Sequence, residues 1–225
     1  MPTLRMLATH EVVQRLHPRE VTEQDQWGMI AGRVIDTTLS QASHEVRIGR
    51  KPTATSLLAA AGAQYDELLA ETDLDPDPAR RTATLEEVGA VLKAFRASPL
   101  YGLPRPRTRW IRINDEVGMY AQPDFWDPRG TFYEMKSYRP VPVPADVATQ
   151  LRCFQLAYPN ARGILIGFDR RARPVGTTAV AVEPTPPAER EHLLRRILDI
   201  GREVGLPKVE EYLAPPSAQY RIGPT

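Results

Sequence analysis

The stretch from Gly118 to Pro140 reads GMYAQPDFWDPRGTFYEMKSYRP, and its centre, Asp127-Pro128-Arg129-Gly130, has the composition of a turn. Proline at the second position carries the fixed φ that a type I turn needs. Gly130 can then take the left-handed conformation that closes a three-residue hairpin loop with a G1 bulge. That register sets Asp127 against Thr131, and therefore Asp124 against Glu134. Directly opposed side chains share a face, with Cβ atoms about 4.5–5.5 Å apart. Period-2 alternation puts Lys136 on the face of Glu134, while Tyr133 and Met135 point away. A two-residue loop would set Asp124 against Tyr133 instead. Type I turns splay two-residue hairpins, which favours the bulged register.

Two facing carboxylates repel unless one is protonated or a cation bridges them. Mg²⁺ suits such an oxygen-rich place and keeps several of its waters there. Asp124, Glu134 and the Met135 carbonyl are therefore candidate ligands for Mg²⁺ or Mn²⁺. An ion held by them would polarise a phosphate and acidify a bound water. Lys136 is placed to orient or deprotonate that water, or to stabilise charge building on the phosphate. The pattern points to metal-dependent cleavage of a phosphodiester, with Asp124, Glu134 and Lys136 as its chemistry. The competing reading is a surface hairpin with an ordinary exposed Glu134–Lys136 pair.

Pro123-Asp124, nine intervening residues and Glu134-Met135-Lys136 resemble the signature of the PD-(D/E)XK nuclease superfamily. Within it, the segment is similar to RecB-like nucleases, CRISPR-associated adaptation nucleases and phage exonucleases. Two further stretches carry the resemblance. Gln150-Leu151-Arg152-Cys153-Phe154 is similar to the Q-L-x-x-Y helix of RecB-like nucleases, with phenylalanine where the family has tyrosine. Gly32-Arg33-Val34-Ile35-Asp36 resembles the first motif, a helical glycine followed four residues later by histidine or glutamate. The match covers Arg107 to Asp169, and the Asp36 helix adds to it. The resemblance implies a restriction-endonuclease-like αβββαβ core with a mixed central sheet flanked by helices. It implies a deoxyribonuclease of exonuclease-like type using Mg²⁺ or Mn²⁺. It makes Gln150 a positioning residue and Asp36 an auxiliary metal ligand, with Glu86 as the alternative acid. The implied partners are DNA and a protein partner in DNA repair, recombination, phage or CRISPR-type processing. A nuclease-fold protein that binds nucleic acid or a partner enzyme without cutting is the alternative.

Composition sets bounds on this. The chain has 225 residues, 42% of them hydrophobic, which is enough for a substantial core. With 29 basic and 28 acidic residues, net charge is +1, so any nucleic-acid contact must come from a local patch. Arg105, Arg107, Arg109 and Arg112 form one basic run, and Arg162, Arg170, Arg171 and Arg173 another. Arg107 and Arg109, with Tyr138 and Arg139 at the end of the site strand, are the candidate nucleic-acid contacts. A single cysteine excludes a four-cysteine iron–sulfur cluster within the chain, which many of the CRISPR-associated proteins carry. Cys153, among apolar residues in a helical pattern, reads as a small buried hydrophobe. His10, His17, His44 and His192 show no metal-ligand spacing. There is no signal pattern and no apolar run long enough to span a membrane, so the expectation is a cytoplasmic protein.

Periodicity orders the elements as α/β. It predicts an irregular start to about Val21 with a short helix at 10–16. Helices follow at 23–46, with Trp27, Ile30, Val34 and Thr38 in one stripe, and from Pro52 to about 71. Residues 73–78 read as a linker, and Thr84 with Glu87 as the capping box of the next helix. Strands are expected at 107–114, 118–126 and 131–139, a helix at 145–158, strands at 163–169 and 176–182, and a last helix at 187–204. The expected organisation is an N-terminal helical region over 1–98, a nuclease core over 99–212 and a proline-rich tail over 213–225.

Overall fold

The structure, a computed structural model, describes residues 5–203 and 220–221. Among them the order begins with β1 (Arg5–Ala8), α1 (Thr9–Leu16), α2 (Glu23–Arg47), α3 (Ala54–Ala70) and α4 (Pro78–Arg96). Four short strands follow: β2 (Arg109–Arg112), β3 (Val117–Ala121), β4 (Phe125–Asp127) and β5 (Thr131–Lys136). Then come α5 (Ala145–Ala157), β6 (Arg162–Asp169), β7 (Gly176–Val182), α6 (Pro187–Glu203) and β8 (Tyr220–Arg221). The chain is of the mixed α/β class. Most of the expected tail, and residues 204–212 of the expected core, lie outside the described residues.

The long helices start where local chemistry supplies a cap. Thr22 Oγ1 accepts the Asp25 N–H at 3.1 Å, and the Asp25 carboxylate accepts the Thr22 N–H at 3.0 Å. This reciprocal box satisfies two amides that α2 would leave orphaned. Thr53 caps α3 by accepting the Ser56 N–H. The fourth helix begins at Pro78, six residues before the expected capping box. Asp77 accepts the N–H groups of Ala79 and Arg80, and Pro78 occupies the first turn, where its missing N–H costs nothing. Thr84 consequently lies buried inside the helix, and Glu87 pairs with Arg170.

The strands depart from the expectation of a single central sheet. They form two four-stranded sheets, ordered β1-β3-β2-β8 and β4-β5-β6-β7. The expected strand over 118–126 is divided between them, because Pro123 has no N–H to give a ladder and the chain leaves one sheet for the other there. Within the expected irregular start, the first described residues form a strand. Arg5–Ala8 pairs in parallel with β3, a partner more than a hundred residues away that no local pattern reveals. The loop between β4 and β5 is the bulged one. The Gly130 N–H donates to the Asp127 carbonyl at 2.9 Å, and Gly130 has φ 88°, which glycine adopts without Cβ strain. β5 and β6 run parallel, joined by the α5 crossover, and β6 and β7 are antiparallel.

The second sheet has a core on each face. Met135, Ile166 and Phe168 pack beneath α2, α3 and α4, with Ile35, Leu39, Leu92 and Phe95 fully covered. Phe132 and Leu165 face the other way, onto α5, α6 and the first sheet. The helices α2 to α4 therefore share a core with the site strands. Gly167 is required by close approach: a Cβ there would lie 2.1 Å from Pro140 Cδ and 2.5 Å from the Tyr138 carbonyl oxygen. This seats the segment after β5 directly against β6. No helix among the described residues is long and apolar enough to cross a membrane.

Candidate active site

The β4–β5 ladder pairs Asp127 with Thr131, Trp126 with Phe132 and Phe125 with Tyr133. One step further, Asp124 stands opposite Glu134. The main-chain ladder stops before this pair, and the Asp124 carboxylate accepts the Met135 N–H at 2.7 Å instead. Asp124 is therefore anchored to the strand that carries the second acid. Glu134 is 3% exposed, so an ionised carboxylate there needs a partner. Lys136 Nζ supplies it, donating to Glu134 Oε1 at 2.6 Å and to Gln150 Oε1 of α5 at 2.9 Å. Gln150 sits where the crossover helix passes over the Glu134–Lys136 face of the sheet.

Asp36 reaches the same place from α2. Arg105 Nη2 lies 3.4 Å from Asp36 Oδ2 and 3.5 Å from Asp124 Oδ1, so a single nitrogen bridges two acids from distant segments. Asp36 Oδ1 is buried and has no hydrogen-bond partner. All these acids border one cleft of about 610 Å³, whose lining includes Gly28, Gly32 and Asp36 from one face of α2 and Lys136 and Tyr138 opposite.

The electrostatics follow from crowding like charges with little water. Burial, and then the facing Glu134 charge, push the Asp124 carboxyl up to about 7, against the opposing pull of Lys136, the Met135 N–H and Arg105. Burial and the charge of Asp124 push Asp36 up to about 6. Burial alone would lower the Lys136 ammonium, but the Glu134 and Asp124 carboxylates outweigh it and hold its pKa above the ordinary value. Lys136 is consequently a cation throughout the physiological range.

Other candidates are placed differently. Tyr138 is 41% exposed at the cleft. Arg107, Arg109 and Arg139 do not line it. The Arg109 guanidinium stacks 4.5 Å from the Tyr158 ring centroid, and the Arg107 carbonyl accepts the Tyr158 hydroxyl. The Arg109 side chain thus packs against the end of α5, while Arg107 contributes only its main chain there and its side chain is exposed. Glu86 is exposed and outside the cleft, so Asp36 is the acid that meets Asp124. Cys153 is buried within α5, and burial pushes its thiol up to about 12. The cleft's arginines come from elsewhere: Arg19, Arg33, Arg170 and Arg171 line it. Arg170 is anchored by Glu87 at 3.2 Å, holding the β6–β7 connection against α4. Arg105 belongs to the first basic run, and its flanking Pro104 and Pro106 mark a stiff loop without disclosing what the loop touches.

The donor set suits a hard cation. Two facing carboxylates and an unpartnered buried carboxylate oxygen match an ion that takes one or two carboxylates and keeps its waters. A closed three-acid cage is not formed: among the described residues, no three His, Cys, Asp or Glu side chains converge closely enough to hold a metal.

No family profile matches the chain, and no curated protein matches it. Among solved structures, SSO0001 aligns with 89% of this chain and 86% of its own, at 13% identity and a TM-score of 0.36. A likeness at that level carries no argument about fold or function.

Proposed function

We propose that the chain is a metal-dependent nuclease of the PD-(D/E)XK type that hydrolyses DNA phosphodiester bonds, with exonuclease-like action. The observation that supports it is the assembly of Asp124, Glu134 and Lys136 on one face of the β4–β5 hairpin, joined by Gln150 from α5 and Asp36 from α2. The parallel β5–α5–β6 unit beside that hairpin supports reading this half of the fold as a restriction-endonuclease-like core.

Asp124, Glu134 and Asp36, with the Met135 carbonyl, would hold Mg²⁺ or Mn²⁺. Such an ion, when bound, polarises a phosphate and makes water nucleophilic near neutral pH. Lys136 contributes positive charge rather than a base, because its acidic neighbours keep it protonated. Its ammonium is oriented by Glu134 and Gln150, so charge developing on a phosphate meets a preorganised cation. Asp124 holds a proton up to about pH 7, so ligand formation releases it.

Single-turnover cleavage of labelled single- and double-stranded oligonucleotides, with Mg²⁺, with Mn²⁺ and with chelator, tests this reading. Cleavage that needs the divalent ion and is lost in Glu134→Gln is the expected result. The arginine lodged between Asp36 and Asp124 favours a second reading, a non-catalytic nucleic-acid or partner-binding protein. Wild type that binds DNA and cuts neither substrate with either ion would favour that reading instead.

A further inference from the structure

We propose that Arg105 is a built-in cation of the acidic site, occupying the place between Asp36 and Asp124 that a divalent ion must take over, and so setting the site's metal affinity. This rests on the reading that the site takes a divalent ion. The first observation is the bridge itself. One guanidinium nitrogen contacts Asp36 Oδ2 and Asp124 Oδ1 at nearly equal distances, as a bridging ion would. At 3.4 and 3.5 Å those oxygens are held further out than the roughly 2.0–2.1 Å of Mg²⁺ coordination. A divalent ion taking the place of that nitrogen would therefore have to draw both oxygens inward.

The second observation is how Arg105 is mounted. The Pro104 carbonyl accepts the Trp126 N–H at 2.9 Å, and the Pro106 carbonyl accepts Gln122 Nε2 at 2.9 Å. Both flanking residues are thus tied to the segment that carries Asp124. Pro104 and Pro106 have fixed φ, and a residue before proline is confined to extended conformations. The backbone at Arg105 is stiff and travels with one of the acids. Only the long side chain is free to move, and at 45% exposure it has solvent to swing into. When the ion enters, the displaced guanidinium remains beside the site, with its donors available to a phosphate.

The test is Mn²⁺ binding to full-length protein at pH 8.5, followed by the loss of the free-ion electron paramagnetic resonance signal. Wild type is compared with Arg105→Ala and Arg105→Lys. Melting temperature in chelator checks that each variant is folded. Arg105→Ala should bind Mn²⁺ at least about tenfold more tightly, because a positive charge at contact distance no longer competes. Arg105→Lys, which keeps the charge, should stay near wild type. A wild type that binds no Mn²⁺ beside an Arg105→Ala variant that does would support the proposal most strongly. Equal or weaker binding by Arg105→Ala overturns it while leaving the metal site in place. Binding by none of the three proteins overturns it together with the metal-dependent reading.

Discussion

The Asp124 carboxylate accepts the Met135 N–H at 2.7 Å, and this contact welds the first acid of the hairpin to the strand of the second. It does so at an electrostatic cost. A main-chain donor and nearby cations do not offset the loss of water and the facing Glu134 charge, so Asp124 keeps its proton up to about pH 7.

That cost has a pH signature. Between the unfolded value, near 3.8, and the folded value, about 7, the native state binds more protons than the unfolded one. Without divalent ions, stability should therefore fall as pH rises through this window, with Asp36 contributing up to about pH 6. Asp124→Asn should remove most of the slope and be more stable than wild type at pH 8. Mg²⁺ or Mn²⁺ should raise the wild-type melting temperature most above pH 7, where the acids are ionised. Melting curves from pH 4.5 to 8.5 check this. A profile identical in wild type and Asp124→Asn would contradict it.

Lys136 is bonded to a glutamate that is 3% exposed, so its loss should cost stability as well as the proposed cleavage. Lys136→Ala strands a buried carboxylate, which costs roughly 3–5 kcal/mol when the charge stays uncompensated. Cleavage by the folded fraction should fall by about 10²-fold or more. Urea denaturation beside single-turnover kinetics separates the two effects. Unchanged cleavage by the folded variant would move the chemistry elsewhere.

Gln150 makes one neutral acceptor contact to Lys136. Gln150→Ala should cost about 1 kcal/mol of stability or less. Cleavage should fall by about fivefold, the effect of losing one orienting contact of about that energy. A loss as large as that of Lys136→Ala would mean that Gln150 itself touches the reacting atoms.

Gly28 lies inside α2 and borders the cleft, and a Cβ there would meet nothing within 4 Å. Packing does not demand this glycine. Gly28→Ala should raise stability by about 0.5–1 kcal/mol through lower helix-forming entropy. Differential scanning calorimetry reads this directly, and destabilisation would reveal strain that the open space does not suggest.

What sequence made legible was local. The Pro128 and Gly130 turn chemistry predicts the Asp127–Thr131 register, and the stripe from Trp27 to Thr38 predicts the buried face of α2. The strand expected at 176–182 forms over those residues. The rest depended on partners far along the chain. β1 exists because β3 accepts it in parallel. Thr84 and Glu87 match a capping pattern, but the cap that forms is that of Asp77 and Pro78, so α4 starts earlier than the pattern predicts. Asp36 could be placed only by analogy with a motif, since the approach of α2 to the hairpin is tertiary. Arg109 stands in a basic run that suggests a nucleic-acid contact, but its guanidinium lies over the Tyr158 ring, a partner that no local pattern shows. Arg105 carried no local mark of its position between two acids.

The central claim is that Asp124 and Glu134 share a divalent ion. Anomalous diffraction from crystals grown with millimolar Mn²⁺ tests it most directly. The expected result is a peak within coordination distance, about 2.0–2.6 Å, of both carboxylates, with Asp36 closing in and the Arg105 guanidinium displaced from its place between Asp36 and Asp124. No peak at these two carboxylates, with Arg105 still bridging Asp36 and Asp124, would contradict the claim.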